Sequence, residues 1–291
     1  RLNIFQNFKE MNPRDKFFAI SGSLILLAIF FIGIQKTDSK SDFQDYYKAS
    51  ELFRNHQDIY QLDILKSLKE SIKTEDVFKM ENLLKLESIK NSVGTYIYPP
   101  TFAFLLLSIS GFSYPNASLI FYLVNFLALL FSLYMIFQKI YPRKKYLVFF
   151  VAILLNFRFL ENHSYNNQVA FLLLLLILYS ISTKNDLVSG ILLSLAIVIK
   201  LTPAIFFLYL LFKKDFKRIF YTGFFLVAWI FLPFIFGIDY NWEQLKNWSD
   251  MVLGNFMQNP EFRAWKNNQS LIATLAKYFL ANGDPINQAE F

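Results

Sequence analysis

Apolar residues gather along the chain in long runs separated by polar stretches, and this alternation predicts its elements. The run Phe17 to Ile34 comes first, behind Lys9, Arg14 and Lys16. It approaches the roughly 20 residues that a helix needs to cross about 30 Å of hydrocarbon. A signal peptide also begins basic and then apolar, but no small-residue cleavage site follows this run. With the basic flank inside, Gln35 onward emerges on the outer face. Ala117 to Phe137 and Ile219 to Ile238 are also of spanning length, whereas Thr101 to Phe112 is too short and is broken by Ser113-Tyr114-Pro115-Asn116. If that short run crossed too, the basic cluster Lys139, Arg143, Lys144 and Lys145 would fall outside. The positive-inside rule therefore predicts a re-entrant or interfacial helix at 101–112 and a true span at 117–137.

Tyr146 to Phe157 then runs outward to the polar stretch Arg158 to Gln168, and Val169 to Ser182 returns. Leu187 to Leu201 and Pro203 to Phe212 are both short. Read as one kinked span, they would put Lys213, Lys214, Lys217 and Arg218 outside. A hairpin with Lys200-Leu201-Thr202-Pro203 at its tip keeps that cluster inside and is the preferred reading. Between the first two runs, residues 35–100 are polar, with apolar positions returning every three or four residues (Leu62, Leu65, Leu68, Ile72; Leu83, Leu86, Ile89). This predicts amphipathic helices lying on the membrane surface or on other helices. Tyr96-Ile97-Tyr98-Pro99-Pro100 closes the segment, since paired prolines stop a helix and suit the start of the next. After residue 238, Trp242, Trp248 and Trp265 predict an interfacial segment. A helix is expected from Asn268-Gln269-Ser270-Leu271 to Leu280, stopped by Asn282-Gly283.

The fold class expected is all-α: a polytopic transmembrane helical bundle forming one domain over 1–291. It divides into an extracytoplasmic loop with interfacial helices (35–116), a helical transmembrane core (117–238), and an extracytoplasmic loop and helix (239–291). The chain opens without Met and closes at Pro285-Ile286-Asn287-Gln288-Ala289-Glu290-Phe291, and it is read as a portion of a longer protein.

Composition agrees with a membrane protein: 55% of the residues are hydrophobic and 19% aromatic, with 35 Phe and 16 Tyr, well beyond the usage of soluble domains. The formal charge of +7 is concentrated beside apolar runs, which marks cytoplasmic loops rather than a nucleic-acid surface. Cysteine is absent, excluding thiol nucleophiles, Cys-ligated metals and disulfides. Without paired His, Asp-x-Asp or His-Glu-x-x-His, the sequence supports no metal cage. No Gly-rich loop supports nucleotide binding either, and no cofactor is expected.

On this topology five polar groups share the outer side: Asp42 with Asp45; Arg158, Glu161 and His163; Asn166, Asn167 and Gln168; Lys200; and Asn268, Gln269 and Ser270. Polar residues near membrane depth are costly and usually face a cavity, so their convergence implies a site. A carboxylate, a lysine and several amides suit a lipid phosphate that carries a sugar. Competing readings exist for each. Ser41-x-x-Gln44 has capping-box form, so Ser41 or Asp42 is equally placed to cap a helix. Asp45 is read first as a first-turn helix residue. Lys200 has the alternative of a snorkelling structural lysine, and a lone His such as His163 is more often a hydrogen-bonded structural residue.

The same residues carry a family resemblance. Ser41-Asp42-Phe43 with Tyr46-Tyr47-Lys48-Ala49 and Ile59-Tyr60, then Tyr98-Pro99-Pro100, Asn167-Gln168-Val169, Ile199-Lys200-Leu201-Thr202-Pro203 and Asn268-Gln269-Ser270-Leu271 occur in order. The series resembles the polyprenol-phosphate-sugar-dependent glycosyltransferases of family 87, a branch of the integral-membrane GT-C superfamily that includes mannosyltransferases. Asn167 stands where the family carries Gly, and Ala170 where it carries Asn. The resemblance implies a GT-C-like bundle in a bacterial inner membrane with its site on the periplasmic face. It further implies inverting transfer of a mannose-like sugar from a polyprenyl-phosphate donor to a glycolipid or glycan acceptor. Asp42 would be the general base. Lys200, followed by Arg158 and His163, would hold the donor phosphate. Asp45, Tyr98, Asn167, Gln168, Asn268 and Gln269 would contact substrate. Beyond substrates and membrane lipids, no partner is implied. Two other classes fit the pattern less well. A lipid-linked-sugar flippase should show repeat symmetry between halves, which is not apparent; a catalytically silent scaffold subunit would tolerate loss of Asp42.

Overall fold

The computed structural model describes residues 11–39, 41–60, 96–140 and 144–250, and among these it contains helices and no strand. Helix α1 (Pro13–Ile34) begins with Pro13 at its first position, and the Asn12 side chain accepts a hydrogen bond from the Asp15 N–H. Its 22 residues rise about 33 Å, enough to cross a bilayer. Helix α4 (Tyr114–Phe137) is similarly long and apolar, and so is α10 (Phe216–Phe231) with the 3-10 turn Leu232–Phe236 that continues it. The chain is an integral membrane protein with three such helices among the described residues.

Between the first two spans lie α2 (Asp42–Arg54) and the short α3 (Pro100–Leu105), which ends in a 3-10 turn, Leu106–Ser108. Both ends of α3 stay at one end of the bundle: Tyr98 meets Tyr46 before it, and Ser110 accepts from Arg54 after it. The run 101–112 therefore does not cross, as its length predicts. Helix α2 is amphipathic by design of its sequence. Phe43, Tyr46, Ala49, Ser50 and Phe53 recur at helical spacing and are the buried positions. Burying side chains of the size of Phe43 and Phe53 is worth about 1.5–3 kcal/mol each. They join Tyr60, Tyr96, Phe102, Phe121 and Val169 in the largest core cluster among the described residues.

The run after α4 is not a straight helix. Helix α5 (Lys145–Leu155) bends by 57° into α6 (Phe157–Tyr165), and both pack on α1. Helices α7 (Ala170–Ser182) and α8 (Asp186–Ile199) follow, each only about 20 Å long at 1.5 Å per residue. The hairpin expected over 187–212 is present. After α8 the chain breaks at Lys200, passes through the 3-10 turn Thr202–Ile205 and returns as α9 (Phe206–Phe212). The return is fixed at its base, where Arg218 Nη2 donates to the Thr183 carbonyl (2.8 Å) and Nε to Asp186 (3.1 Å). Asp215, the N-cap of α10, completes this ion-pair group with Arg218.

Two close helix approaches shape the bundle. A Cβ on Gly33 would lie 2.3 Å from the Tyr122 ring, and one on Gly190 would lie 2.4 Å from Tyr221 Cβ and 2.8 Å from its backbone carbon. Only glycine lets α1 meet α4, and α8 meet α10, at these distances. Helix α11 (Ile238–Ser249) closes the described chain and grips the turn after α2. There Gln244 accepts from the Ile59 N–H (3.0 Å) and Tyr240 donates to the Gln57 carbonyl (2.8 Å). Trp248 donates to the Ile97 carbonyl, so it packs on the protein, whereas Trp242 is exposed.

Candidate active site

Asp42 is the first helical residue of α2, and its neighbours set its geometry. Ser41 occupies the N-cap position but its side chain makes no cap hydrogen bond; its Oγ instead lies near the Tyr114 hydroxyl at 3.4 Å. The capping-box expectation is thus corrected: neither Ser41 nor Asp42 spends its side chain on the helix end. The Asp42 N–H, an orphan donor of the first turn, goes to the Asn166 carbonyl at 3.1 Å. Its carboxylate is left for Gln168, whose Nε2 donates to Oδ2 at 2.5 Å. The other end of that amide, Oε1, hydrogen-bonds with His163 Nδ1. Three residues far apart in sequence, Asp42, Gln168 and His163, thereby form one connected line.

Tyrosines flank this line. Tyr46, one helical turn after Asp42, shares a hydrogen bond between hydroxyls with Tyr98 at 2.9 Å, and the rings meet edge to face at 5.0 Å. Tyr60 donates to the Tyr98 carbonyl at 2.8 Å, and Tyr96 donates to that of Pro99 at 2.9 Å, so the segment before α3 is held by a tyrosine lattice. Burial, with the nearby Asp42 and Asp45 carboxylates, pushes the Tyr98 hydroxyl above its ordinary range. Burial and then Tyr98 push Tyr46 well above it. Both hydroxyls are therefore neutral hydrogen-bonding groups near Asp42.

Lys200 enters from the hairpin tip. It ends α8 in an extended conformation, with its N–H still bonded to the Ala196 carbonyl at 3.0 Å, and a cation suits this helix terminus. Its exposed ammonium lies 5.8 Å from the centroid of the Tyr98 ring. The charges of Lys200 and Asp42 both reach the His163 imidazole. Asp42, Gln168 and His163 are thus joined directly, the Asp42 and Asp45 charges reach Tyr98, and Lys200 stands over the Tyr98 ring.

Other expected residues fall elsewhere. Asn167 is buried, and its Nδ2 donates to the Ser118 carbonyl (3.0 Å) and Oγ (3.1 Å). This corrects its expected substrate contact: its amide nitrogen faces α4, inside the protein. Its φ of 47° lies in the left-handed region that Gly enters freely and Asn more readily than most residues, so Asn fits a position where the resemblance expects Gly. Arg158 pairs with Glu161 at 2.7 Å with most of its side chain exposed. Asn268, Gln269 and Ser270, like the apolar stripes Leu62 to Ile72 and Leu83 to Ile89, lie outside the described residues. Sequence reasoning quoted Tyr46 in a motif but gave it no role, although its spacing of four from Asp42 places the two on neighbouring helix positions, and it missed Ser118, which carries no motif.

A base-capable carboxylate, a cation, neutral tyrosines and amides at one end of a membrane bundle can activate a hydroxyl beside an anionic, sugar-sized group. The sequence profile described as glycosyltransferase family 87 matches residues 96–289, most of the chain. The chain belongs to glycosyltransferase family 87. It is accordingly a membrane glycosyltransferase, with a sugar donor and an acceptor as substrates. The family match takes in Tyr98, His163, Gln168 and Lys200 but begins after Asp42. What ties α2 to the matched region is contact: Gln168 and Asn166 hold Asp42 by side chain and backbone. Comparison with curated proteins and with solved structures finds no match.

Proposed function

We propose that this glycosyltransferase moves a mannose-like sugar from a polyprenyl-phosphate donor to a lipid or glycan acceptor on the extracytoplasmic face, with inversion. The side is argued from charge: Lys139, Lys144, Lys145, Lys213, Lys214 and Lys217 cluster at helix ends opposite Asp42, and basic loops stay inside. In a bacterium that membrane would be the inner one, and the architecture would be of GT-C type.

Asp42 is the general base. It takes the proton of the acceptor hydroxyl while that oxygen attacks the anomeric carbon. The bond from that carbon to the phosphate oxygen breaks, and polyprenyl phosphate leaves with the electron pair. A phosphate leaves as a stable anion, so the site needs a cation more than an acid. Lys200 supplies it at the hairpin tip, and Tyr98 beneath its ammonium offers a face for sugar stacking. Arg158, already paired with Glu161, stands further back. The observation that carries the reading is the Asp42 carboxylate at a helix start, free of capping duty, near a neutral tyrosine pair of which Tyr98 lies under Lys200.

The test is transfer by Asp42→Asn, which should fall by at least about 100-fold with donor binding retained. Turnover near the parent rate would remove Asp42 from this role. Lys200→Ala should weaken donor affinity by about tenfold, the scale of one charged hydrogen bond. Unchanged affinity and rate would make Lys200 structural.

A further inference from the structure

An ionised carboxylate only accepts hydrogen bonds, so the Gln168 atom facing Asp42 is the amide nitrogen. The amide oxygen then faces His163 and can only accept, so Nδ1 of His163 must carry a proton. One charge on Asp42 thus fixes both the amide orientation and the imidazole proton. The arrangement is braced from behind. The Gln168 N–H donates to the His163 carbonyl at 3.1 Å, the His163 ring meets Phe171 edge to face at 5.9 Å, and Asn166 holds the Asp42 backbone. The turn 163–168 therefore grips Asp42 at both its backbone and its side chain, while Asp42 Oδ1 takes no hydrogen bond among the described residues.

We infer that His163 and Gln168 are positioning residues: His163 Nδ1–H aims the Gln168 amide, and that amide pins Asp42 Oδ2 so that Oδ1 faces the acceptor hydroxyl. This rests on Asp42 being the base. It replaces phosphate contact by His163 with a role exerted through Gln168. A misaimed base costs rate rather than donor binding, on the order of 100-fold for a displacement near 1 Å.

The two roles of His163 separate by isosteres. The Asn amide nitrogen coincides with imidazole Nδ1, whereas that of Gln reaches the place of Nε2. The assay uses the full chain in lipid vesicles, a radiolabelled polyprenyl-phosphate mannose probe as donor and native lipid extract as acceptor. His163→Ala and Gln168→Leu should lower kcat by about 100-fold with donor KM within roughly threefold of the parent. His163→Asn should restore most of the rate and His163→Gln should not. Recovery by Gln but not Asn, or a raised donor KM at unchanged kcat, would overturn the inference in favour of a phosphate contact. If His163→Ala proves unfolded by its detergent melting curve, the Asn and Gln pair still decides. Asp42→Asn, run beside them, separates the two claims. An active Asn variant defeats the base assignment and this inference with it. An inactive one beside fully active His163 and Gln168 variants defeats this inference alone.

Discussion

Ser41 and Asn167 show what a residue's own chemistry discloses and what only its neighbours decide. Ser41-x-x-Gln44 is a capping pattern by spacing, yet the Tyr114 and Asn166 contacts that redirect Ser41 and Asp42 come from helices more than 70 positions away. No local pattern contains them. Asn167, an amide beside Gln168, reads as an equal partner in sequence; a backbone φ of 47° turns it inward while Gln168 points to Asp42. That conformation makes a prediction. Asn167→Gly relaxes the backbone while losing the Ser118 bonds, and should stay within about 1.5 kcal/mol of the parent. Asn167→Val loses the same bonds and adds strain of about 1–3 kcal/mol. Melting in detergent should therefore rank parent, Gly, Val in falling order, and a Val variant as stable as Gly would contradict it. Tyr60 carries a second prediction. Burial raises its hydroxyl well above the ordinary 10.0. A group raised on folding contributes its full stability below the unfolded value and loses it as pH climbs toward the folded one. Helicity should thus hold up to about pH 10 and fall beyond it. Tyr60→Phe should shrink that alkaline loss while costing about 1 kcal/mol at neutral pH for the Tyr98 bond; an unchanged alkaline limb would exonerate Tyr60.

Among the elements, length and charge were readable and bends were not. The spans α1, α4 and α10 follow from unbroken apolar runs, and the hairpin from the basic cluster that a single span would have stranded. The 57° break between α5 and α6 falls at Leu155-Asn156-Phe157, without proline; there Asn156 Nδ2 donates back to the Ala152 carbonyl at 2.8 Å, and both halves pack on α1. Glycines give a sharper test of helix contact. An added Cβ at Gly190 meets the Tyr221 and Thr222 backbone within 2.9 Å, whereas one at Gly223 meets nothing within 4 Å. Gly223→Ala should be neutral or stabilise by up to about 1 kcal/mol through helix propensity. Gly190→Ala should cost about 1–3 kcal/mol through overpacking, because backbone cannot yield as a side-chain tip can. Equal melting temperatures for the two variants would mean that α8 and α10 do not touch there.

For the whole molecule, the membrane class was legible because lipid imposes a coarse rule on every segment: apolar for about 20 residues or not across. Of the candidate site, the residue types were legible in motifs, and the motifs from Tyr98 onward fall within the family match over 96–289. Its wiring was not. That Gln168 connects Asp42 to His163, and that Tyr46 and Tyr60 hold Tyr98, depends on packing among α2, α3, α6 and α7. The central claim is that one carboxylate, Asp42, drives sugar transfer from a polyprenyl-phosphate donor. Mass spectrometry of lipid extracts tests it most directly, comparing cells that carry the parent chain with cells that carry Asp42→Asn at equal membrane abundance. The account predicts that one hexose-bearing product disappears while the polyprenyl-phosphate hexose accumulates. An unchanged product in the Asp42→Asn cells would contradict it.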